Sequence, residues 1–177
     1  MECLLKYLAC KKKAIVAQWL EGTLRGYEES TARFLLYEQD RFRNPVGHTL
    51  KESLPALFDA LLDKEAAVAI ESRLDAIIRM RAVQEFSASE AVSFVLLLKE
   101  IVRQELRSNS QIDPDGNDFA SFEARVDGMA LLASDLFVKC REQIRAIKAD
   151  DARRRLYLRE RMRSATRTKP RPDATEG

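Results

Sequence analysis

The sequence predicts an all-α fold, a single domain of about six helices with a long C-terminal helix. Three observations carry this expectation. Apolar residues recur at helical spacings along almost the whole chain, and no stretch shows the two-residue alternation of a half-buried strand. Only 6 glycines and 5 prolines interrupt the 177 residues, too few for the many tight turns of an all-β architecture. Charged residues make up 33% and hydrophobic residues 46%, the balance expected of helices that bury one stripe and solvate the rest. The length suits one ordinary domain with room for a real core, and no internal repeat is visible.

Leu4, Leu8, Ile15 and Trp19 share one face of a first helix, whose end is marked by Gly22 and Gly26. A short second helix is expected over about residues 31–38, carrying Phe34, Leu35 and Tyr37. The polar residues 40–43 connect it to the next. There Asn44 is a good N-cap and Pro45 fits the first helical position, where its missing N–H costs nothing. Loss of that cap in Asn44→Ala is expected to cost about 1 kcal/mol. Leu50, Leu54, Leu57, Phe58, Leu61 and Leu62 form the stripe of this third helix. Pro55 lies inside it and should kink the helix or split it after Ser53.

A fourth helix is expected over about residues 65–81, with Val68, Ile70, Leu74, Ile77 and Ile78 on its buried side. Ser87 followed by Glu90 is a capping box. It opens a helix through Val92, Val95, Leu96, Leu98, Ile101 and Leu106, whose centre at residues 94–98 is apolar nearly all round. This is the expected central helix. Residues 109–118 read as a loop. The last helix starts near Phe119 and keeps Phe122, Val126, Met129, Leu132, Leu136, Ile144 and Ile147 in register, with Val138 and Cys140 close by. Beyond Asp151 the apolar positions thin to Leu156, Tyr157 and Met162 among arginines. Pro170 and Pro172 end any helix, and the final residues read as disordered. The expected organisation is a helical body over residues 1–150 and a basic extension and tail over 151–177.

The net charge of +2 hides an asymmetry. Residues 153–177 hold nine basic and three acidic side chains, leaving 21 basic and 25 acidic in residues 1–152. A mildly acidic body therefore carries a basic tail. With one aromatic residue, Tyr157, and no glycine-rich stacking pattern, the tail reads as a solvated helical extension that pairs with a second copy, rather than as a nucleic-acid or membrane binder. No apolar run reaches the roughly 18–20 residues of a membrane span, and the N-terminus lacks the pattern of a secretory signal. Cys3, Cys10 and Cys140 are an odd number in a chain too large to need staples, so reduced, buried thiols in a cytoplasmic protein are expected. Lys139 and Arg141 offer an alternative for Cys140, a thiol of lowered pKa.

Few residues invite chemistry. His48 is the only histidine; a metal site needs several convergent ligands, so a neutral, hydrogen-bonding role near a helix N-terminus is expected. Residues 113–118 imitate a calcium loop, but an EF-hand needs glycine sixth and glutamate twelfth, where Asp118 and Ala124 stand. Arg79, Arg81, Gln84 and Glu85 cluster at a helix end, where they line a ligand or partner site or complement the helix dipole. No nucleophile–base pair or phosphate-cradling glycine loop is apparent, so no catalysis is expected.

Three segments carry a resemblance: Asn44-Pro45-Val46-Gly47, the stretch from Ile78 to Ser89, and Val138-Lys139-Cys140-Arg141-Glu142. Their order and distances are similar to those in the N-terminal domain of RsbRD-type proteins, co-antagonists of the RsbT kinase in bacterial stressosome signalling. The resemblance covers residues 1–150. It implies an all-α sensory or protein-interaction module in a partner-switching pathway. Related stressosome sensor domains have a globin-like fold without haem and act as dimers, so a globin-like arrangement and a homodimer are implied. The regulators named for the domain continue into a STAS domain, whereas no βαβ pattern follows here. A stand-alone sensor or adaptor is therefore expected, with a kinase or STAS-type partner, no cofactor, and neither a nucleic-acid partner nor a membrane span. The alternative is a haem- or small-ligand-binding, globin-like sensor using His48. The ligand or partner surface is expected among Asn44, His48, Arg79, Arg81, Gln84, Cys140 and Arg141.

Overall fold

A computed structural model describes residues 2–63, 67–108, 113 and 116–167. The side chain of Val68, most of the loop expected over 109–118, and Pro170 and Pro172 lie outside the described residues. Six helices follow one another: α1 (Glu2–Leu24), α2 (Glu29–Tyr37), α3 (Pro45–Leu62), α4 (Ala67–Val83), α5 (Ala88–Arg107) and α6 (Asn117–Arg167). No strand occurs among the described residues. The fold is all-α, as the periodicity predicts.

The described residues divide between Cys140 and Arg141 into two units. In the first, α1 packs against α2, α3 and α5, while α4 packs against α3 and α5. The stripe of α1 is buried in full: Leu4, Leu8, Ile15 and Trp19. The Trp19 indole N–H donates to the Phe94 carbonyl at 2.6 Å, and the two rings stack at 6.2 Å. A Cβ at Gly22 would run into the Leu97 side chain, so glycine lets α1 and α5 approach closely there. Tyr7 and Lys11 of α1 both reach Glu105 of α5, at 3.1 and 3.0 Å. The first part of α6 buries Phe119, Phe122, Val126, Met129, Ala133, Leu136, Phe137 and Cys140. It is tied to α5 by Arg103–Glu123 at 2.7 Å and Lys99–Asp127 at 2.6 Å.

Both helix starts read from the sequence are present. Asn44 accepts from the Gly47 N–H at 2.8 Å, with Pro45 at the first helical position. Ser87 and Glu90 form the reciprocal capping box. The structure decides one open alternative and corrects two local expectations. α3 is one helix of 18 residues and is not split at Pro55. A mid-helix proline costs about 3 kcal/mol, but Leu54, Leu57 and Phe58 are all fully buried along the same stripe, at roughly 1.5–3 kcal/mol each. The centre of α5 is not apolar-facing all round, since Leu96 is 46% exposed. Cys3 and Cys10 are exposed, and only Cys140 is buried; the seven-residue spacing puts both early cysteines on the solvent side of α1, away from Leu4 and Leu8.

The second unit begins at Arg141. Within it α6 stays helical to Arg167, yet its large apolar side chains are open to solvent. Ile147, Leu156, Tyr157, Leu158 and Met162 are all at least 56% exposed. Arg154 pairs with Asp150 one turn earlier at 3.1 Å.

Candidate functional site

The stripe of α4 runs Leu74, Ile77, Ile78, Arg81 and Ala82, and all five side chains are buried. Arg81 stands seven residues after Leu74, so helical spacing carries a guanidinium into the core, leaving it 2% exposed. Its Nη1 donates to the Glu90 carbonyl at 2.7 Å and its Nη2 to the Thr23 carbonyl at 3.4 Å. The Thr23 carbonyl lies in the last turn of α1, where carbonyls lack helical partners and the dipole favours a cation. The Arg81 guanidinium also lies over two aromatic rings, Phe86 at 5.1 Å and Phe94 at 4.8 Å. Burial lowers the Arg81 pKa from its ordinary value, and Tyr27 and Glu90 offset part of that.

The chain turns sharply at this point. Glu85 adopts a left-handed conformation at φ 65°, and the Phe86 N–H bonds back to the Arg81 carbonyl at 3.3 Å. This is a Schellman turn with glutamate where glycine is usual, at a cost of roughly 1–2 kcal/mol. The turn sets the Phe86 ring onto the Arg81 side chain, in the place of the usual apolar contact. Tyr27 meets Phe86 edge-on at 5.3 Å and donates from its hydroxyl to Gln84 at 2.9 Å. Burial raises the Tyr27 pKa, partly offset by the Arg81 charge. Gly22, Thr23, Gly26, Phe86, Glu90, Ser93 and Leu97 complete a pocket of about 330 Å³ around Arg81 and Phe94.

The other residues singled out in the sequence lie elsewhere. Arg79 is exposed and pairs with Asp75 at 2.6 Å. Asn44 is buried, and its amide also donates to the Leu35 and Glu38 carbonyls at 2.9 Å each, docking the end of α2 onto the start of α3. His48 lies 3.2 Å from Glu52 one turn on, in a separate pocket with Leu36, Tyr37, Glu38, Gln39 and Lys51. Burial raises the Cys140 thiol pKa, and Arg79 and Lys139 pull it back only in part. This direction is opposite to the lowered pKa that Lys139 and Arg141 suggest in the sequence. Arg141 is half-buried and belongs to the second unit. Among the described residues, no three His, Cys, Asp or Glu side chains converge as metal ligands. None of their helices is long and apolar enough to cross a membrane.

The family model for the RsbT co-antagonist protein RsbRD N-terminal domain matches residues 13–154. The chain belongs to this family. It is thus a signalling domain of the stressosome type, as the three matching segments imply. The RsbRD N-terminal domain match takes in the Asn44 cap, the whole Arg81 site and the start of the second unit. No curated protein and no solved structure matches the chain.

Sequence reasoning named Arg81 and Gln84 but missed Thr23, Tyr27, Phe86, Ser93 and Phe94. The signal for burial was present: Arg81 occupies an apolar-stripe position of α4. The aromatic partners come from other elements, and their convergence has no local signature.

Proposed function

We propose that the chain is a non-catalytic regulatory sensor or adaptor that works by protein–protein contact in the cytoplasm. The body, around Arg81, receives the signal. The end of α6 pairs with a second copy, and a regulatory protein of the pathway, of the kinase or STAS type, reads the assembly. Membership of a family described as RsbT co-antagonist supports the regulatory part.

The observation that carries the proposal is the exposed apolar stripe of α6. Ile144, Ile147, Leu158 and Met162 lie within roughly 60° of one another around the helix at 100° per residue, and the last three are exposed. Helices in proteins gain most of their stability by packing an apolar face, so a partner that covers this stripe is favoured. Asp151 and Arg155 lie on the same side. Side by side in parallel, two copies would set Asp151 against itself. An antiparallel pair centred near Arg153 sets Asp151 against the partner's Arg155 and Ile144 against the partner's Met162. Charge complementarity therefore favours the antiparallel arrangement.

Light scattering of the full chain and of a truncation after Lys148, at matched concentration, tests the proposal. The full chain is expected at dimer mass and the truncation at monomer mass with its helical body folded. A monomeric full chain would refute it, and an equally tight truncated dimer would move the interface off the stripe.

A further inference from the structure

Arg81 is a permanent cation in the core, and its surroundings leave it incompletely matched. Its hydrogen-bond acceptors are two main-chain carbonyls, neither of them charged. Among the described residues no carboxylate pairs with it. The Glu90 carboxylate is turned to its own cap, accepting from the Ser87 N–H at 2.9 Å and the Ser87 hydroxyl at 2.6 Å. The Arg81 Nε–H is buried with no acceptor at all. Buried charges are ordinarily paired, and buried donors are ordinarily satisfied. This side chain departs from both rules, and it borders the 330 Å³ pocket.

From this we infer that the pocket binds a small monocarboxylate with a compact apolar body, its carboxylate accepting from Arg81. The chemistry of the walls selects that class. Phe86, Phe94 and Leu97 offer apolar surface to the body of the ligand. Arg81 is the single basic residue in the lining, and Glu90 adds an acid, so a dianion such as a phosphate monoester would meet one positive charge and one negative. The volume lies at the small end of the range for ligand pockets, about 300–1,000 Å³. Both glycines of the lining, Gly22 and Gly26, sit near the end of α1, so the pocket wall there is main chain without side-chain bulk. Pairing would neutralise the buried cation and change the packing where α1, α4 and α5 meet. That junction is where a signal enters the body in the function proposed above.

The inference rests on reading the body as the sensing part. Its test is independent of assembly, because it reads one resonance and not a mass. The full chain, labelled with nitrogen-15, is titrated with acetate, butyrate and benzoate at constant ionic strength while the Arg81 Nε–H signal is followed by NMR. Butyrate or benzoate is expected to move that signal saturably, with neutral benzamide leaving it in place. Arg81→Gln, which lacks that signal and is followed through the backbone amides of Ser93 and Leu97 in the lining, should weaken binding by roughly thirtyfold or more. Should that variant fail to fold, Ser93→Phe serves instead: Ser93 is exposed and lines the pocket, so a ring there blocks entry while Arg81 stays. An Arg81 signal unmoved by all three acids would overturn the inference and leave Arg81 as a structural clamp between helices. A shift unchanged by Ser93→Phe, or an equal response to inorganic phosphate, would overturn it as well.

Discussion

The body and the end of α6 are both helical and both carry Leu, Ile and aromatic residues at helical spacing, but they dispose of them in opposite ways. In the body the stripes close on one another: Leu8, Trp19, Leu50, Phe58, Ile77 and Val95 are at most 0–1% exposed, and even an arginine is enclosed. In the second unit, Ile147, Leu158 and Met162 face solvent over more than half their surface. The same period of 3.6 residues therefore has two meanings. Where neighbouring helices are supplied by the same chain, the pattern specifies a core. Where they are not, the same spacing leaves an apolar stripe open to solvent.

The comparison is easiest to break at its strongest point. Trp19→Ala removes a fully buried ring stacked on Phe94, together with a hydrogen bond to the Phe94 carbonyl. It is expected to destabilise the body by about 3–5 kcal/mol in urea melts followed by circular dichroism. Tyr157→Ala, at a 63% exposed ring in the second unit, should shift the same transition by less than about 0.5 kcal/mol at low protein concentration. Similar losses for the two would erase the distinction.

A sharper test lies at the joint between α2 and α3. The sequence assigns Asn44 one acceptor role and about 1 kcal/mol. The structure adds two donations from the same amide, a buried one to Leu35 and a part-buried one to Glu38. Asn44→Ala is therefore expected to cost about 2–3 kcal/mol, since it also removes a donor from the buried Leu35 carbonyl. Asn44→Asp keeps the acceptor for Gly47 but sets a buried carboxylate against the Leu35 and Glu38 carbonyls, so it should cost at least as much as Asn44→Ala. A loss no greater than that of an exposed cap would mean that α2 is not anchored there.

A smaller effect belongs to the cap of α5, which lies at the body surface. Ser87→Ala is expected to cost about 1 kcal/mol at neutral pH. The Ser87 side chain and N–H hold the Glu90 carboxyl below its ordinary value of 4.5. A depressed folded pKa means that this contribution is present above about pH 4.5 and is lost as pH falls through the folded value. The gap between native protein and Ser87→Ala should narrow on acidification below that range. A gap that stays constant down to pH 3 would show that Glu90 takes no part.

Much of this was legible in the sequence, and the boundary is physical. Helix starts are local chemistry, so Asn44-Pro45 and Ser87-Glu90 announced themselves within four residues. Periodicity found most of the core positions of α1, α3, α5 and the first part of α6, whereas of the positions it named in α2 only Leu35 is buried, Phe34 and Tyr37 being exposed. Its reach ends where a local rule meets a tertiary fact: Pro55 stays inside an unsplit α3 among buried neighbours, and Cys3 and Cys10 are exposed because they stand off the Leu4–Leu8 face. Arg81 was named at a helix end, but its charge masked its stripe position. The Phe86 and Phe94 rings that flank it come from a left-handed turn and from another helix, and Glu85 carries no sign that it would adopt φ 65°.

The smallest effect on the body and the largest on assembly are expected together, at Leu158. This residue is 56% exposed and lies on the same side of α6 as Ile147 and Met162. A carboxylate there leaves every body contact in place, and within α6 it stands one turn after Arg154 and three residues before Arg161, where opposite charges at such spacings are mildly stabilising. Folding of the single chain should therefore be unchanged in Leu158→Asp. In the antiparallel register centred near Arg153 this position meets the partner's Ile147 and Lys148, so the substitution removes the apolar contact with Ile147 and desolvates a charge at the seam, which is unfavourable. Sedimentation equilibrium should find Leu158→Asp monomeric where the native chain is dimeric, with an unaltered thermal transition of the body at dilutions where both are monomers. Dimerisation that survives the substitution would show that the exposed stripe is not the interface, and the contrast between the two regions would then reflect only solvation of a long basic helix.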